Sequence, residues 1–273
     1  MNNVILSAFL MGGLGNQMFQ MAHAYAQGLK NNLNVSFKPI AGGDMQGNKP
    51  INYLKNIFRD FNFDGNINNL KRVKEQGFYF TPINDNWDES VEFYGYFQSS
   101  KNFYGFQDEI KDKFRPSEEF LNKIYNIYPQ LLNKNNLSLH VRRGDYLTVS
   151  HILPVVSKKY IDYCVNEIND YDYLFVFSDD KQWVKDNLNY SNIIIVEGLE
   201  DYEELWTMSL CKNNIMSNSS FSWWGVYLSN FDNKQVMCPY PWFGPSGEKK
   251  FEDIYEENWK KVNLRYENGL LTL

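Results

Sequence analysis

Apolar runs and amphipathic segments alternate along the second half of the chain. The apolar runs predict buried strands, and the segments between them carry the three-to-four-residue spacing of apolar positions that indicates helices. The predicted strands are 137–141, 173–178, 193–196, 215–216 and 235–238, and the predicted helices are 158–168, 180–188, 202–209 and 221–229. Because strands and helices alternate, the pattern predicts an α/β fold with a doubly wound parallel sheet.

The first half opens in a similar way. An apolar run at 4–11 predicts a buried strand, and GGLGNQ at 12–17 predicts a tight loop. The segment 18–30 predicts a helix, and a short second strand is expected at 35–37. The apolar run has no basic residue before it and no small-residue cleavage site after it, so a strand is favoured over a signal peptide.

Residues from about 40 to 130 have a weaker pattern and are rich in asparagine and aromatic side chains. Helical stretches are expected near Ile57, Leu70 and Phe120. The strand–helix alternation resumes at residue 137, and PQLLNKNNL at 129–137 has the composition of a linker. Two α/β domains are therefore predicted, with a boundary near residue 130.

The composition of the chain disfavours several classes of function. The 273 residues are 43% apolar with a formal net charge of −6, which argues against nucleic-acid binding but not against an anionic small ligand. The three cysteines form no CxxC pair, which favours reduced thiols in a cytoplasmic protein. No run of 18 apolar residues occurs, so no membrane span is expected.

The motif HVRRGDY follows the predicted strand 137–141, at the carboxyl end where open α/β sheets bind ligands. Adjacent side chains of an extended chain point to opposite sides, so Arg142 and Arg143 are expected to have different roles. One could grip a diphosphate through two charge-assisted hydrogen bonds, and the other could be held by a carboxylate such as Asp145. The alternative is an ion-paired surface turn, which the position after a buried strand disfavours.

SNSSFSWWG at 217–225 places several hydroxyl groups between a short strand and a helix. The free N–H groups at the start of a helix bind phosphate, and Ser219, Ser220 and Ser222 could add hydroxyl donors. Helix capping alone would need one serine, so anion binding is favoured.

GGLGNQM resembles a dinucleotide fingerprint, but Met18 replaces the third glycine and no acidic residue lies about 20 positions further on, so a nicotinamide cofactor is not expected. Gly13 and Gly15 still allow the backbone to approach a ligand closely, and Asn16 and Gln17 offer neutral donors.

Polar groups also follow the predicted strand 173–178. Ser178 and Asp179 could contact a ribose or orient the RRGD loop, and helix capping by Asp179 or Asp180 is an equal alternative. His140 is a candidate ligand contact at the end of the strand before it.

Five segments resemble bacterial α-1,2-fucosyltransferases of glycosyltransferase family 11. They occur in order, span nearly the whole chain and are highly specific as a set. They are GGLGNQMFQMAHAYA (12–26), GYFQSSKNF (95–103), HVRRGDYL (140–147), FVFSDDKQW (175–183) and MSLCKNNIMSNSSFSWWGVYL (208–228).

This resemblance implies a GT-B fold, in which two Rossmann-like domains face each other across a cleft. It implies an acceptor-side domain at 1–130 and a GDP-fucose-binding domain at 131–273. The implied reaction is inverting transfer of L-fucose from GDP-β-L-fucose to the 2-hydroxyl of a terminal galactose on an oligosaccharide, without a metal or other cofactor. A lipid-linked acceptor would bring the protein loosely to the inner membrane surface.

The same resemblance implies site residues. It places Arg142 and Asn16 near the donor diphosphate and Ser219 and Ser220 on its phosphates. Glu204 stands where family members usually carry an aspartate suited to reading guanine. With Asp145 as a candidate base, the expected catalytic residues are Arg142, Asp145 and Asn16. The expected donor-binding residues are Gly13, Gly15, His140, Arg142, Arg143, Ser178, Asp179, Glu204, Asn218, Ser219, Ser220 and Phe221.

The chain departs from related enzymes in one respect and leaves alternatives open. Related α-1,6-fucosyltransferases carry a glutamate shortly beyond their RRxD motif, whereas YLTVSH at 146–151 has no carboxylate. Asp145 and His151 therefore both stay as base candidates. DYD at 170–172 fits a metal-binding DxD pattern, but it precedes a strand, at the end opposite to ligands. A fucosyltransferase of another linkage and a non-catalytic carbohydrate-binding protein are the alternatives.

Overall fold

In a computed structural model, which describes residues 4–40, 49–83 and 86–273, the chain divides into two units, each with its own parallel sheet. The N-terminal unit runs to Pro116 and also contains Lys250–Glu256. The C-terminal unit consists of Ser117–Lys249 and Glu257–Leu273. The division lies at residue 116, whereas the sequence predicted a boundary near 130.

The sheet of the N-terminal unit contains four parallel strands within the described residues. The strands are β1 (Ile5–Ala8), β2 (Asn34–Val35), β3 (Lys71–Lys74) and β4 (Val91–Tyr94), in the order β2–β1–β4–β3, and the helices are α1 (Leu14–Asn31) and α2 (Gln107–Phe114). The first strand confirms the prediction from 4–11. The helix expected near Leu70 is wrong, because β3 pairs along its whole length with β4, and the segment around Ile57 consists of turns.

The GGLGNQ segment is largely helical, which corrects the predicted loop. Helix α1 begins at Leu14, and the carbonyl of Gly13 accepts the N–H groups of Asn16 and Gln17 at 3.0 and 3.1 Å. Only Gly12 and Gly13 therefore lie outside the helix. Gly12 has a φ of +75°, a conformation that glycine adopts without strain.

Helix α3 (Glu118–Ile127) explains where the two units divide. The Phe120 ring lies 5.0 Å from the ring of Trp206, and Lys123 forms a 2.5 Å ion pair with Glu203. Both contacts attach the helix to the C-terminal unit. The predicted linker 129–137 lies inside this unit, where its first four residues form a short 3-10 turn.

The C-terminal unit confirms the predicted strand–helix alternation. The remaining helices are α4 (Lys158–Glu167), α5 (Lys181–Asn187), α6 (Asp201–Ser209) and α7 (Ser220–Tyr227), and the remaining strands are β5 (Leu137–Val141), β6 (Val155–Val156), β7 (Leu174–Ser178), β8 (Ile193–Ile195), β9 (Asn213–Ile215), β10 (Val236–Tyr240), β11 (Lys260–Asn263), β12 (Arg265–Glu267) and β13 (Leu270–Thr272). The main sheet is parallel throughout, in the order β11–β10–β9–β5–β7–β8.

This strand order reverses direction at β5. The chain proceeds from β5 to β7 and β8 on one side, and then returns to place β9, β10 and β11 on the other side. In open α/β sheets, ligands bind outside the carboxyl ends of the strands at such a reversal. The topology therefore predicts a ligand site among the residues that follow β5 and β9.

The small third sheet pairs β12, β13 and β6, so that the end of the chain packs against the segment after the RRGD loop. The three cysteines are free and buried, as the sequence predicted. Burial raises the pKa of the Cys164 thiol to about 12, which makes it an unreactive core residue.

Candidate active site

Three polar segments meet at the carboxyl edge of the C-terminal sheet. RRGDY follows β5, SDD spans the end of β7, and SNSS follows β9. Since β5 pairs with both β7 and β9, the three segments are neighbours at the reversal of strand order. The sequence predicted each segment separately, and the sheet order brings them together.

Arg142 lies at the centre of this cluster. Its Nη2 atom is 2.6 Å from Oδ1 of Asp145, and its Nη1 atom is 3.2 Å from Oδ2 of Asp179. The guanidinium carbon lies 5.4 Å from the centre of the Tyr146 ring, and the side chain is 25% exposed. A guanidinium carries five N–H donors in a fixed plane. Two ion pairs therefore orient it, and further N–H groups can donate to an anionic ligand.

Arg143 has a different environment, as the alternation of side chains predicted. Its Nε atom is 3.0 Å from Oδ2 of Asp180, and its guanidinium carbon lies 4.3 Å above the Trp183 ring. Asp180 is also the N-cap of α5 and accepts the backbone N–H of Trp183. These contacts give Arg143 a role in anchoring α5, and its predicted role in donor binding stays a prediction.

Asp179 orients the RRGD loop. One carboxylate oxygen accepts the backbone N–H of Arg143 at 2.8 Å while the other pairs with Arg142. A side chain at Gly144 would place its Cβ 2.5 Å from Oδ2 of Asp179, so the Asp179 carboxylate would have to move. Ser178 is occupied locally, because its hydroxyl donates to the carbonyl of Val141 and accepts the N–H of Asp180.

His140 connects β5 to the SNSS segment. Its Nδ1 atom lies 2.7 Å from the Ser217 hydroxyl, and its ring packs 5.3 Å from the ring of Phe221. Burial first, and then the charge of Arg142, lower the pKa of His140 to about 3, so the imidazole is neutral at physiological pH.

The SNSS segment forms the N-terminal turn of α7. Ser219 is the N-cap, and its hydroxyl accepts the N–H of Phe221 at 3.3 Å. Ser222 is fully buried, and its hydroxyl shares its one proton between the carbonyls of Ser217 and Ser219, each 3.1 Å away, so its predicted use as an anion donor is wrong. Ser220 is half-buried at the first position of the helix.

Two further contacts position this turn. The Tyr146 hydroxyl donates to the carbonyl of Asn218 at 3.0 Å, which joins the RRGDY turn to the SNSS turn. The Asn218 amide nitrogen donates to the carbonyl of Trp242, and its Oδ1 atom is buried without a protein donor. RRGDY and SNSS therefore form one connected structure.

Glu204 on α6 is paired with a lysine. The Nζ atom of Lys181 lies 2.9 Å from Oε1 of Glu204, whose side chain is 14% exposed. Burial raises the pKa of Glu204, and Lys181 acts in the opposite direction. One carboxylate oxygen is thus held by Lys181, and the second oxygen stays the group predicted to read guanine.

In the N-terminal unit, Asn16 and Gln17 occupy the first turn of α1. Gln98 donates from Nε2 to Oδ1 of Asn16 at 2.6 Å, and Gln17 donates to the carbonyl of Gly12 at 2.8 Å. Gln98 lies in the GYFQSS motif, but nothing in the sequence connects it with a residue 82 positions earlier. Gly13 and Gly15 lie at the start of the helix, and their roles in donor binding stay predictions.

The other candidates make none of the contacts described above. DYD precedes β7, at the end of the strand opposite to Asp179, and the described residues contain no group of three or more potential metal ligands. His151 is exposed in the loop between β5 and β6. No helix in the described ranges is long and apolar enough to cross a bilayer.

Comparison with protein families gives a match to Glycosyl transferase family 11 over residues 8–263. The chain belongs to glycosyltransferase family 11. Two Escherichia coli relatives of similar length are an α-1,2-colitosyltransferase, 31% identical over 94% of this chain and 99% of the relative, and the O-antigen biosynthesis glycosyltransferase WbnK, 29% identical over 93% and 99%. Family membership identifies the protein as a glycosyltransferase, which favours the catalytic interpretation over a carbohydrate-binding protein.

Solved structures support the fold of this family 11 chain. The α-1,6-fucosyltransferase NodZ, in a crystal soaked with GDP-fucose, matches with a TM-score of 0.51 and 13% identity over 82% of this chain and 91% of NodZ. NodZ from Bradyrhizobium matches with the same TM-score at 12% identity, over 81% and 91%. The protein therefore has the α/β fold of GT-B type that the resemblance implied.

Proposed function

We propose that this glycosyltransferase moves L-fucose from GDP-β-L-fucose to the 2-hydroxyl of a terminal galactose, with inversion and without a metal. The observation that carries the proposal is the position of Arg142, at the reversal of strand order and next to the turn that opens α7. A GDP-linked donor is supported by the fold shared with NodZ, whose crystal was soaked with GDP-fucose.

The proposed chemistry needs positive charge on the leaving group. When the bond between fucose C1 and the β-phosphate oxygen breaks, the electron pair stays on GDP. The galactose O2 attacks C1 from the opposite face and loses its proton. Arg142 and the N–H groups at the start of α7 would stabilise the charge that develops on the diphosphate, the role that a divalent cation has in other enzymes.

Two residues stay as candidates for the base. Asp145 is 2.6 Å from Arg142, so its carboxylate is engaged in an ion pair that would have to rearrange to accept a proton. His151 is exposed in the loop between β5 and β6. A loose transition state would reduce the demand on either group, because the acceptor hydroxyl then loses its proton late.

A second donor is favoured by the relative named α-1,2-colitosyltransferase. Colitose is L-fucose without the 3-hydroxyl, so a site for one sugar needs little change to accept the other. Under this alternative, the protein transfers colitose to the same acceptor position.

Product analysis tests both proposals. The protein is incubated with GDP-fucose or GDP-colitose and a panel of galactose-terminated glycans, and the linkage of the product is determined by NMR. We expect an α-1,2-linked fucose and faster turnover of GDP-fucose. A product with another linkage contradicts the regiochemistry, and preference for GDP-colitose identifies the second donor. A sample with Arg142→Ala, which should be folded and inactive, controls for contaminating enzymes.

A further inference from the structure

Lys181 and Glu204 form an ion pair at the carboxyl edge of the C-terminal sheet. Lys181 is the first residue of α5, which follows β7, and Glu204 lies in the first turn of α6, which follows β8. The two strands are parallel neighbours, so both helices begin at the same edge of the sheet. Both residues belong to the C-terminal unit, and open α/β sheets bind ligands at this edge.

The pair is more deeply buried than its neighbour on the same helix. The side chains of Lys181 and Glu204 are 31% and 14% exposed. Lys185, one turn further along α5, pairs with Glu197 at 2.7 Å, and both of these side chains are half-exposed. Removal of two charges from water costs free energy that the bond between them often fails to repay. Stability alone is therefore a weak reason for placing the Lys181–Glu204 pair below the surface.

The pair also lies next to the cluster around Arg142. Asp179, which pairs with Arg142, is two residues before Lys181. Burial raises the pKa of Glu204, Lys181 lowers it, and the charges of Asp201 and Asp179 raise it, so the carboxylates of Asp179 and Glu204 act on each other. The ion pair and the proposed diphosphate site are thus neighbours along one edge of one sheet.

Together the two side chains offer one donor beside two acceptors. The ammonium has three N–H donors, of which the bond to Glu204 uses one, and each carboxylate oxygen can accept two hydrogen bonds. The Watson–Crick face of guanine is the complement of this set, because it presents the O6 acceptor beside the N1–H and N2–H donors. Uracil has a carbonyl oxygen on both sides of its one N–H, so one carboxylate oxygen would face a second oxygen.

We propose that Lys181 is a specificity-determining residue that donates to O6 of the guanine base while Glu204 accepts the N1–H and N2–H groups. It rests on the proposed function, which supplies a guanosine diphosphate. The 2.9 Å bond between Lys181 and Oε1 of Glu204 sets the ammonium beside the carboxylate, in the order in which the base presents its groups. Two residues from adjacent helices therefore select the base together.

Binding of GDP analogues to the complete chain tests the contact at single atoms of the base. In 6-thio-GDP, sulfur, which is a weak acceptor, replaces O6, and inosine diphosphate lacks the N2 amino group. Isothermal titration calorimetry gives the dissociation constant of each nucleotide for the wild type and the variants. We expect the wild type to bind GDP about tenfold more tightly than either analogue, because each analogue loses one hydrogen bond to a charged group.

Lys181→Met removes the donors and keeps a side chain of similar length. This variant should bind GDP about tenfold more weakly than the wild type and bind GDP and 6-thio-GDP equally. It should still prefer GDP to inosine diphosphate, because Glu204 is intact. Lys181→Arg retains N–H donors and should keep the preference for GDP over 6-thio-GDP. Lys185→Met is the matched control on the same helix and should bind all these nucleotides as the wild type does.

The preference for GDP over 6-thio-GDP separates a direct contact from a structural role. If Lys181 only holds Glu204 in place, Lys181→Met weakens both nucleotides by the same factor, and a preference that persists in this variant would overturn the proposal. Equal binding of the two by the wild type would also overturn it. Because these nucleotides carry no sugar, a failure of the fucose or linkage proposal leaves the result intact. Equal binding of GDP and UDP by the wild type contradicts the GDP-linked donor itself, and the guanine contact with it.

Discussion

At the scale of single residues, Arg142 and Arg143 show how the same side chain acquires two roles. Adjacent positions at the end of β5 direct them to different partners, Asp145 and Asp179 for the first and Asp180 with Trp183 for the second. The sequence predicted that the two would differ, because side chains alternate along a strand. It could not determine which arginine stays available to a ligand, because that depends on Asp179, Asp180 and Trp183, which come from a distant segment of the chain.

The two arginines form a matched pair for mutagenesis. Arg142→Lys keeps the charge but loses the planar fork, and we expect kcat to fall by about 100-fold with little change in melting temperature. Arg143→Lys loses its stacking on Trp183 and should lower the melting temperature while kcat stays within about tenfold. Steady-state kinetics and thermal unfolding of both variants check this, and equal kinetic losses would contradict the division of roles.

Two buried histidines give the stability a dependence on pH. Burial lowers the pKa of His23 and of His140 to about 3 in the folded protein, below the value near 6.5 expected after unfolding. The unfolded chain therefore binds more protons as the pH falls through 6.5. The free energy of unfolding should decrease between pH 6.5 and 3 by up to about 1.4 kcal/mol per pH unit for each histidine.

Urea unfolding at a series of pH values measures this slope. His140→Gln should reduce it by the share of one histidine. An unchanged slope in His140→Gln would show that the buried imidazole does not contribute.

At the scale of elements, the polar cluster at the carboxyl edge of the C-terminal sheet depends on contacts between the ends of β5, β7 and β9. Asp179 at the end of β7 holds the RRGD loop, and Tyr146 in that loop holds the turn before α7. Sequence patterns located all three strands, since buried strands have a clear apolar signal. They did not predict the hydrogen bonds that connect the ends of these strands, because each of these bonds joins a side chain to the backbone of a distant segment.

Gly144→Ala tests the contact between Asp179, which follows β7, and the RRGD loop, which follows β5. The added Cβ would lie 2.5 Å from Oδ2 of Asp179, so the carboxylate must move and release the loop that carries Arg142. We expect kcat to fall by about 100-fold, the usual result of misplacing a charged group by about 1 Å. Gly65→Ala is the control, because its Cβ would meet nothing closer than 4.0 Å. Kinetics within twofold of wild type for Gly144→Ala would show that the loop tolerates displacement of Asp179.

The start of α1 shows where element boundaries escape sequence patterns. Successive glycines at 12, 13 and 15 indicate a loop by composition, yet the Gly13 carbonyl begins the helical hydrogen bonds. Gly12, the residue before it, has a φ of +75°, which glycine adopts without strain. Asn16 thus gains a fixed helical backbone, which a loop would not have given it.

At the scale of the whole molecule, the sequence predicted the α/β fold more accurately than the boundary between the two units. Alternating periodicities predicted the parallel sheet of the C-terminal unit, because that pattern is local. The division at residue 116 and the return of Lys250–Glu256 to the N-terminal unit depend on tertiary contacts. Among these are the 2.5 Å pair of Lys101 with Asp253 and the bond from the Phe80 N–H to Asp253, both made by a segment distant in sequence.

The proposed transfer without a metal places a demand on the whole site, because the positive charge would then have to come from the chain itself. The proposed function predicts that EDTA leaves the transfer rate unchanged within error. Assays with EDTA, and with Mg²⁺ or Mn²⁺ added back, measure this. Complete loss of activity that Mn²⁺ restores would contradict the proposal and revive DYD at 170–172 as a candidate ligand set.

A comparison of GDP with UDP tests whether the C-terminal unit selects the guanine base of its nucleotide. GDP at about 100 times its dissociation constant should stabilise the folded protein by about 2.7 kcal/mol, while UDP, with the same diphosphate and a smaller base, should give a much smaller increase in melting temperature. If the second oxygen of Glu204 reads guanine, Glu204→Gln should reduce the GDP shift and leave the UDP shift unchanged. Arg142→Ala should instead reduce both shifts, because both nucleotides carry the diphosphate. Equal shifts for GDP and UDP in the wild type would show that the unit binds phosphate without selecting the base.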